Sequence, residues 1–113
     1  MSVNLSSPYT SISKLYKFLR AEEVSAFLEI HAFLVPVLIE AHDKIRNYFP
    51  ASQLALEVFV DPESPADTHL TVWIGFEDDV DEAFNKLLKL EEEWIYYLQD
   101  EVVAKLSVNL GSR

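Results

Sequence analysis

Three histidines, His31, His42 and His69, are the side chains best suited to general-base or metal chemistry, because a neutral imidazole takes up a proton or a cation near pH 7. Their spacing does not assemble a site. No two stand four residues apart, as a helical zinc pair requires, and the neighbours His42 and Asp43 point about 100° apart on a helix. The carboxylates fall into three groups. Glu77-Asp78-Asp79 with Asp81-Glu82 reads as a helix start, where unpaired amides and the helix dipole favour acids, and its spacing is not that of a calcium loop. Glu91-Glu92-Glu93 fans round most of a helix and reads as a solvated face. Asp61-Pro62-Glu63 with Asp67 has ordinary turn composition, yet it stands beside His69 at a strand end, where small α+β folds form clefts. Asp61, Glu63 and His69 are therefore the candidate cleft for a ligand or substrate. Thiolate chemistry is excluded because there is no cysteine. Gly75 and Gly111 stand too far apart to cradle a phosphate, and no serine-nucleophile pattern occurs. The expectation is no catalytic residue, no metal and no cofactor.

Composition narrows the partners. With 19 acidic against 9 basic residues the net charge is −10, which repels nucleic-acid backbones and anionic membranes. The same acidity also serves solubility. A chain of 113 residues, half of them hydrophobic and with only 2 glycines, suits one domain with one core. Residues 1–9 read as a flexible tail and 10–113 as the domain. Met1 to Pro8 lacks a basic flank followed by an apolar run, so no secretory signal is expected and the cytoplasm is the expected location. The apolar stretch Phe27 to Ile39 is interrupted by Glu29, His31 and Pro36 and is shorter than the ~20 residues of a membrane span.

The elements that must position these groups follow from periodicity. Thr10 to Leu19 has the spacing of a helical turn or two. Pro36 suits only the first turn of a helix, which puts a break near Glu29 to Ala32. Before it Ala21 to Leu28 turns Val24, Phe27 and Leu28 inward. After it Phe33 to Tyr48 carries Leu34, Leu38, Ala41 and Ile45, with Tyr48 or Phe49, and Pro50 stops it. Asp79 caps a helix of about twenty residues, with Glu82 in a capping-box position. Its expected stripe is Val80, Phe84, Leu87, Leu88, Glu91, Trp94, Ile95, Leu98 and Val102.

Strand patterning appears at Gln53–Asp61, His69–Phe76 and Lys105–Leu110. The first two make a hairpin, and the long helix returns the chain so that the last strand lies antiparallel to the first. The expected fold is α+β, α-α-β-β-α-β, with a three-stranded, mainly antiparallel sheet in the order 2-1-3 and helices on one face. Alternation sets Leu54, Leu56, Val58 and Val60 with Leu70, Val72, Ile74 and Phe76 towards the helices. Phe59 and Trp73 look the other way, as a candidate interaction surface for a partner or a second copy. The plainer alternative folds the N-terminal segment, with Ile12, Leu15 and Phe18, over that face.

One resemblance joins these segments. Phe27-Leu28, His31, Phe33-Leu34, Glu40-Ala41, Ile45 and Tyr48-Phe49-Pro50, then Leu56-Glu57-Val58, Asp61-Pro62-Glu63, Asp81-Glu82-Ala83, Trp94 and Lys105-Leu106, resemble a family of small bacterial proteins, common in cyanobacteria, of unknown function. The resemblance covers about Glu22 to Leu110 and implies an accessory or antitoxin-like role, with no catalytic residues to transfer. Relatives carry a proline directly after the histidine, where this chain has Ala32 and a displaced Pro36. Two readings result: an acidic protein-interaction module that engages a basic protein or itself, and a small enzyme or ligand-binding protein using the hairpin cleft.

Overall fold

A computed structural model of the chain describes residues 8–76 and 79–111, with side chains from residue 11 onward. Helix α1 (Pro8–Leu15) leads into a two-residue strand β1 (Lys17–Phe18), and helices α2 (Ala21–Ile30) and α3 (Leu34–Tyr48) follow. Strands β2 (Leu54–Phe59) and β3 (His69–Ile74) form the hairpin. Helix α4 (Val80–Glu93), a short helix α5 (Asp100–Lys105) and strand β4 (Leu106–Leu110) complete the order. Of the expected tail, residues 1–7 lie outside the described residues, while Pro8 and Tyr9 already belong to α1.

The fold is α+β, but the sheet has four strands in the order β1-β2-β3-β4. The expected three-stranded, mainly antiparallel 2-1-3 sheet is corrected in two ways. Residues 17–18, read as helix from sequence, pair parallel with β2 through Lys17↔Ala55 and Phe18↔Leu56 and occupy the position assigned to the last strand. The last strand instead pairs parallel with β3, from Leu70↔Leu106 to Ile74↔Leu110. A strand returned by a single covering helix pairs most directly with the strand it left, in parallel. Only the central β2–β3 ladder is antiparallel, running from Leu54↔Ile74 to Phe59↔His69. The sheet is thus two parallel crossovers joined at an antiparallel seam.

The helices cover one face. Leu54, Leu56, Val58, Leu70, Val72, Ile74 and Leu106 are all buried there, against Val24, Phe27 and Leu28 of α2 and Leu34, Leu38, Ala41 and Ile45 of α3. The bend between α2 and α3 spans residues 31–33, and Pro36 sits in the first turn of α3. The N-terminal segment does not lie over the Phe59/Trp73 face. Ile12 is fully buried in the main core, and the buried Tyr16 hydroxyl donates to the Leu38 carbonyl oxygen at 2.7 Å, so α1 packs beside α3. Burial pushes the Tyr16 phenol well above its ordinary pKa.

The long C-terminal helix is also corrected. α4 ends at Glu93, Trp94 leaves helical geometry with φ −139° and ψ −52°, and a 3-10 turn at Ile95–Tyr97 leads to extended Leu98 and Gln99. Length explains the break: fourteen helical residues rise ~21 Å, which matches the ~20 Å of a six-residue strand, and a continuous helix would overrun the sheet. The buried stripe of α4 is Ala83, Leu87 and Leu90, continued by Trp94. Val80, Phe84 and Leu88 remain 63%, 52% and 38% exposed. The Asp79 side chain caps α4 by accepting from the Asp81 amide at 3.1 Å. Two other acids of that cluster, Glu77 and Asp78, lie outside the described residues, and Glu82 is exposed.

Candidate functional site

Phe59 and Trp73 share the face opposite the helices but stand two rows apart, because Phe59 pairs with His69 and Trp73 with Ala55. Between them runs the row Glu57, Thr71 and Ser107. The rings therefore make two separate features. Phe59, 52% exposed, stacks at a tilt on His69 with centroids 5.2 Å apart. Trp73 is partly buried, and its indole N–H donates to Glu57 Oε1 at 3.0 Å. The other carboxylate oxygen of Glu57 accepts from Arg20 Nη2 at 2.9 Å. Both oxygens of this partly buried acid are thus satisfied, and the Thr71 and Ser107 hydroxyls bond each other at 3.0 Å. Arg20, the N-cap of α2, reaches Glu57 from a left-handed backbone conformation, φ 53°.

The candidate cleft is built of groups that fasten their own loop. Asp61 Oδ1 accepts from the Glu63 amide at 2.9 Å, an Asx turn, and the His69 ring Nδ1 lies 3.1 Å from the Asp67 carbonyl oxygen. Lys105 closes the loop from the far side, its Nζ 3.3 Å from the carbonyl oxygens of Ala66 and Thr68. Glu63 itself is exposed. Asp61 and His69 therefore already hold partners, an arrangement suited to rigidity more than to proton transfer. A hollow of about 40 Å³, room for a water or two, lies at the opposite end of the hairpin between Lys17, Leu19, Gln53, Leu54, Ala55 and Gly75.

The other two histidines pack against aromatic rings. His31 stacks on Phe27 with its Nδ1 3.1 Å from the Phe27 carbonyl oxygen. His42 packs edge-on to Tyr16, and its Nδ1 is 3.8 Å from Asp43 Oδ1, longer than a hydrogen bond. Among the described residues no three of His, Asp and Glu converge to hold a metal ion. Among them, too, no single helix is long and apolar enough to cross a membrane.

Two surface features escaped the sequence reading. One is the Arg20–Glu57–Trp73 chain, which needs the β1–β2 pairing to exist. The other is the flank of α4 carrying Val80, Phe84 and Leu88. A signal for it was present: the helix holds two apolar stripes, and the small Ala83 marks the one pressed against the protein. Comparison with protein-family models, with curated proteins and with solved structures found no match.

Proposed function

We propose that this chain is a non-catalytic, acidic interaction module that serves as accessory partner to a basic protein, as an antitoxin does. One observation carries the reading: four of the 9 basic residues are engaged by the protein's own groups, while acidic side chains stand exposed over the surface. Of the 9 basic residues, Arg20 bonds Glu57, and Arg46 donates to the Phe49 and Ser52 carbonyl oxygens at 2.9 and 2.7 Å. Lys105 holds the hairpin loop, and the Lys86 ammonium lies 5.6 Å from the centre of the Phe49 ring. Meanwhile Glu22, Glu29, Glu40, Glu63, Glu82, Glu92, Glu93 and Glu101 are exposed. With a net charge of −10 the outward field is negative, and such a field steers a cationic protein surface onto this one. Phe59 on the open sheet face supplies an apolar contact within that field.

The test is purification of the tagged chain from its native cells at low and high salt. A stoichiometric basic protein retained near ~0.1 M salt and released near ~1 M, where screening shortens to about 3 Å, is the expected result. A chain that purifies alone at every ionic strength overturns the reading. The enzymatic alternative gains no specific support, because Asp61 and His69 each bond their own loop, Glu63 is exposed, and the small hollow lies at the opposite end of the hairpin.

A further inference from the structure

The strand β4 ends the sheet, and nothing among the described residues pairs with its outer edge. The Gly111 amide donates to the Ile74 carbonyl oxygen at 3.0 Å, so by alternation Ser107, Asn109 and Gly111 turn their backbone groups to β3. Leu106, Val108 and Leu110 then turn theirs to the free edge. None of the usual protections is present: β4 has five residues, no charge, no proline and an unbroken register with β3. Above this edge lies an uncovered helix flank. On α4 successive residues rotate by about 100°, which puts Lys86 on one side of the buried stripe and Phe84 and Leu88 on the other. Lys86 reaches Phe49 at the end of α3. The opposite flank, with Val80, Phe84 and Leu88, therefore faces away from α3, on the side of β4.

We propose that two copies of this chain join here, β4 against β4 about a two-fold axis, forming one continuous eight-stranded sheet with the two α4 flanks in contact above it. The occupant is a second copy because both features are self-complementary. Antiparallel pairing centred on Val108 sets Leu106 opposite Leu110 and Ser107 opposite Asn109, so apolar meets apolar, polar meets polar, and no charge meets its like. The same axis sets the outward groups of Val108 to bond each other and those of Leu106 to bond Leu110. A crossover helix runs antiparallel to its strands, so the stripe obeys the same axis: Val80 meets Leu88, and Phe84 meets its counterpart. The exposed parts of the stripe amount to roughly 300 Å² per copy, and a five-residue ladder adds a comparable area, which reaches the ~1,000 Å² in total that specific interfaces need. This inference is independent of the basic partner, whose support is charge and the other sheet face.

The test is sedimentation equilibrium of the full chain with single variants. The wild type is expected at twice the monomer mass at ~100 µM. Association should tighten as salt rises, because both copies are acidic and screening weakens their repulsion. Phe84→Glu, on an exposed helix position, is expected to weaken the dimer about ten-fold or more without changing the circular dichroism. Val108→Pro should do the same by blocking the ladder, and Phe84→Glu remains decisive if that variant does not fold. In the cysteine-free chain, Ser107→Cys combined with Asn109→Cys should give a covalent dimer on mild oxidation, while Lys17→Cys at the other edge should not. A wild type that stays monomeric, or a dimer broken by Phe59→Glu and untouched by Phe84→Glu, overturns the proposal. Neither result bears on whether a basic protein binds.

Discussion

The two edges of the sheet are treated in opposite ways. At the N-terminal edge β1 is two residues long, carries an exposed lysine and is ended by Arg20 in a left-handed turn tied to Glu57. Short length and an edge lysine are devices that discourage a further strand. At the C-terminal edge β4 has five uncharged residues beneath an uncovered helix flank. The difference teaches that pairing is discouraged on one side and left open on the other, so the free edge of β4 is a selective feature of this sheet.

The comparison breaks most visibly if the N-terminal side proves dispensable. Ile12, fully buried beside β1, is expected to cost ~2–5 kcal/mol when changed to alanine, read from the midpoint of urea unfolding. A loss below ~1 kcal/mol would mean that α1 and β1 are loosely attached. Tyr16→Phe removes the bond to Leu38 and should cost about 1 kcal/mol. The same hydroxyl makes stability depend on alkali. The folded protein keeps Tyr16 protonated where the unfolded chain ionises, so its contribution is complete below pH ~10 and falls by up to ~1.4 kcal/mol per pH unit above it. Tyr16→Phe should flatten that decline, and an unchanged slope would assign it to other groups.

At the open edge Gly111→Ala is expected to cost about 1 kcal/mol, since a Cβ there would stand 2.7 Å from Trp73 Cε3 and the ring or the strand end must yield. The smallest effect belongs to Arg20→Gly. Relief of the left-handed backbone offsets loss of an ion pair whose arginine end is exposed, giving a net change within ~0.5 kcal/mol, whereas Arg20→Ala loses the pair without that relief. Equal losses for the two variants would show that backbone strain at Arg20 contributes nothing.

The sequence made the hairpin, the bend before Pro36 and the inward faces of α2 and α3 legible, because each rests on local periodicity or on proline geometry. It did not reveal β1, since two residues hold no period and only pairing with Ala55 and Leu56 makes them a strand. Nor did it choose between the two stripes of α4, as Phe84 and Leu87 are equally apolar and only the seat of Ala83 against the protein decides. Asp61, Glu63 and His69 were legible as polar groups at a strand end. The bonds from the Glu63 amide to Asp61 and from His69 to the Asp67 carbonyl depend on loop conformation, which pattern does not encode.

The antiparallel seam also sets a folding order. Phe59 and His69 meet across one short loop, whereas Lys17 must find Ala55, and Leu70 must find Leu106, across whole helices. Closing those longer loops comes at a later entropic stage, so the outer ladders assemble on a preformed centre. Pulse-labelled amide exchange should protect Glu57 and Thr71, which pair across the seam, before Asn109, and simultaneous protection would rule this sequence of events out. Until β4 arrives, a nascent chain bares the flank of β3 to its neighbours, and crowding during synthesis acts on that interval.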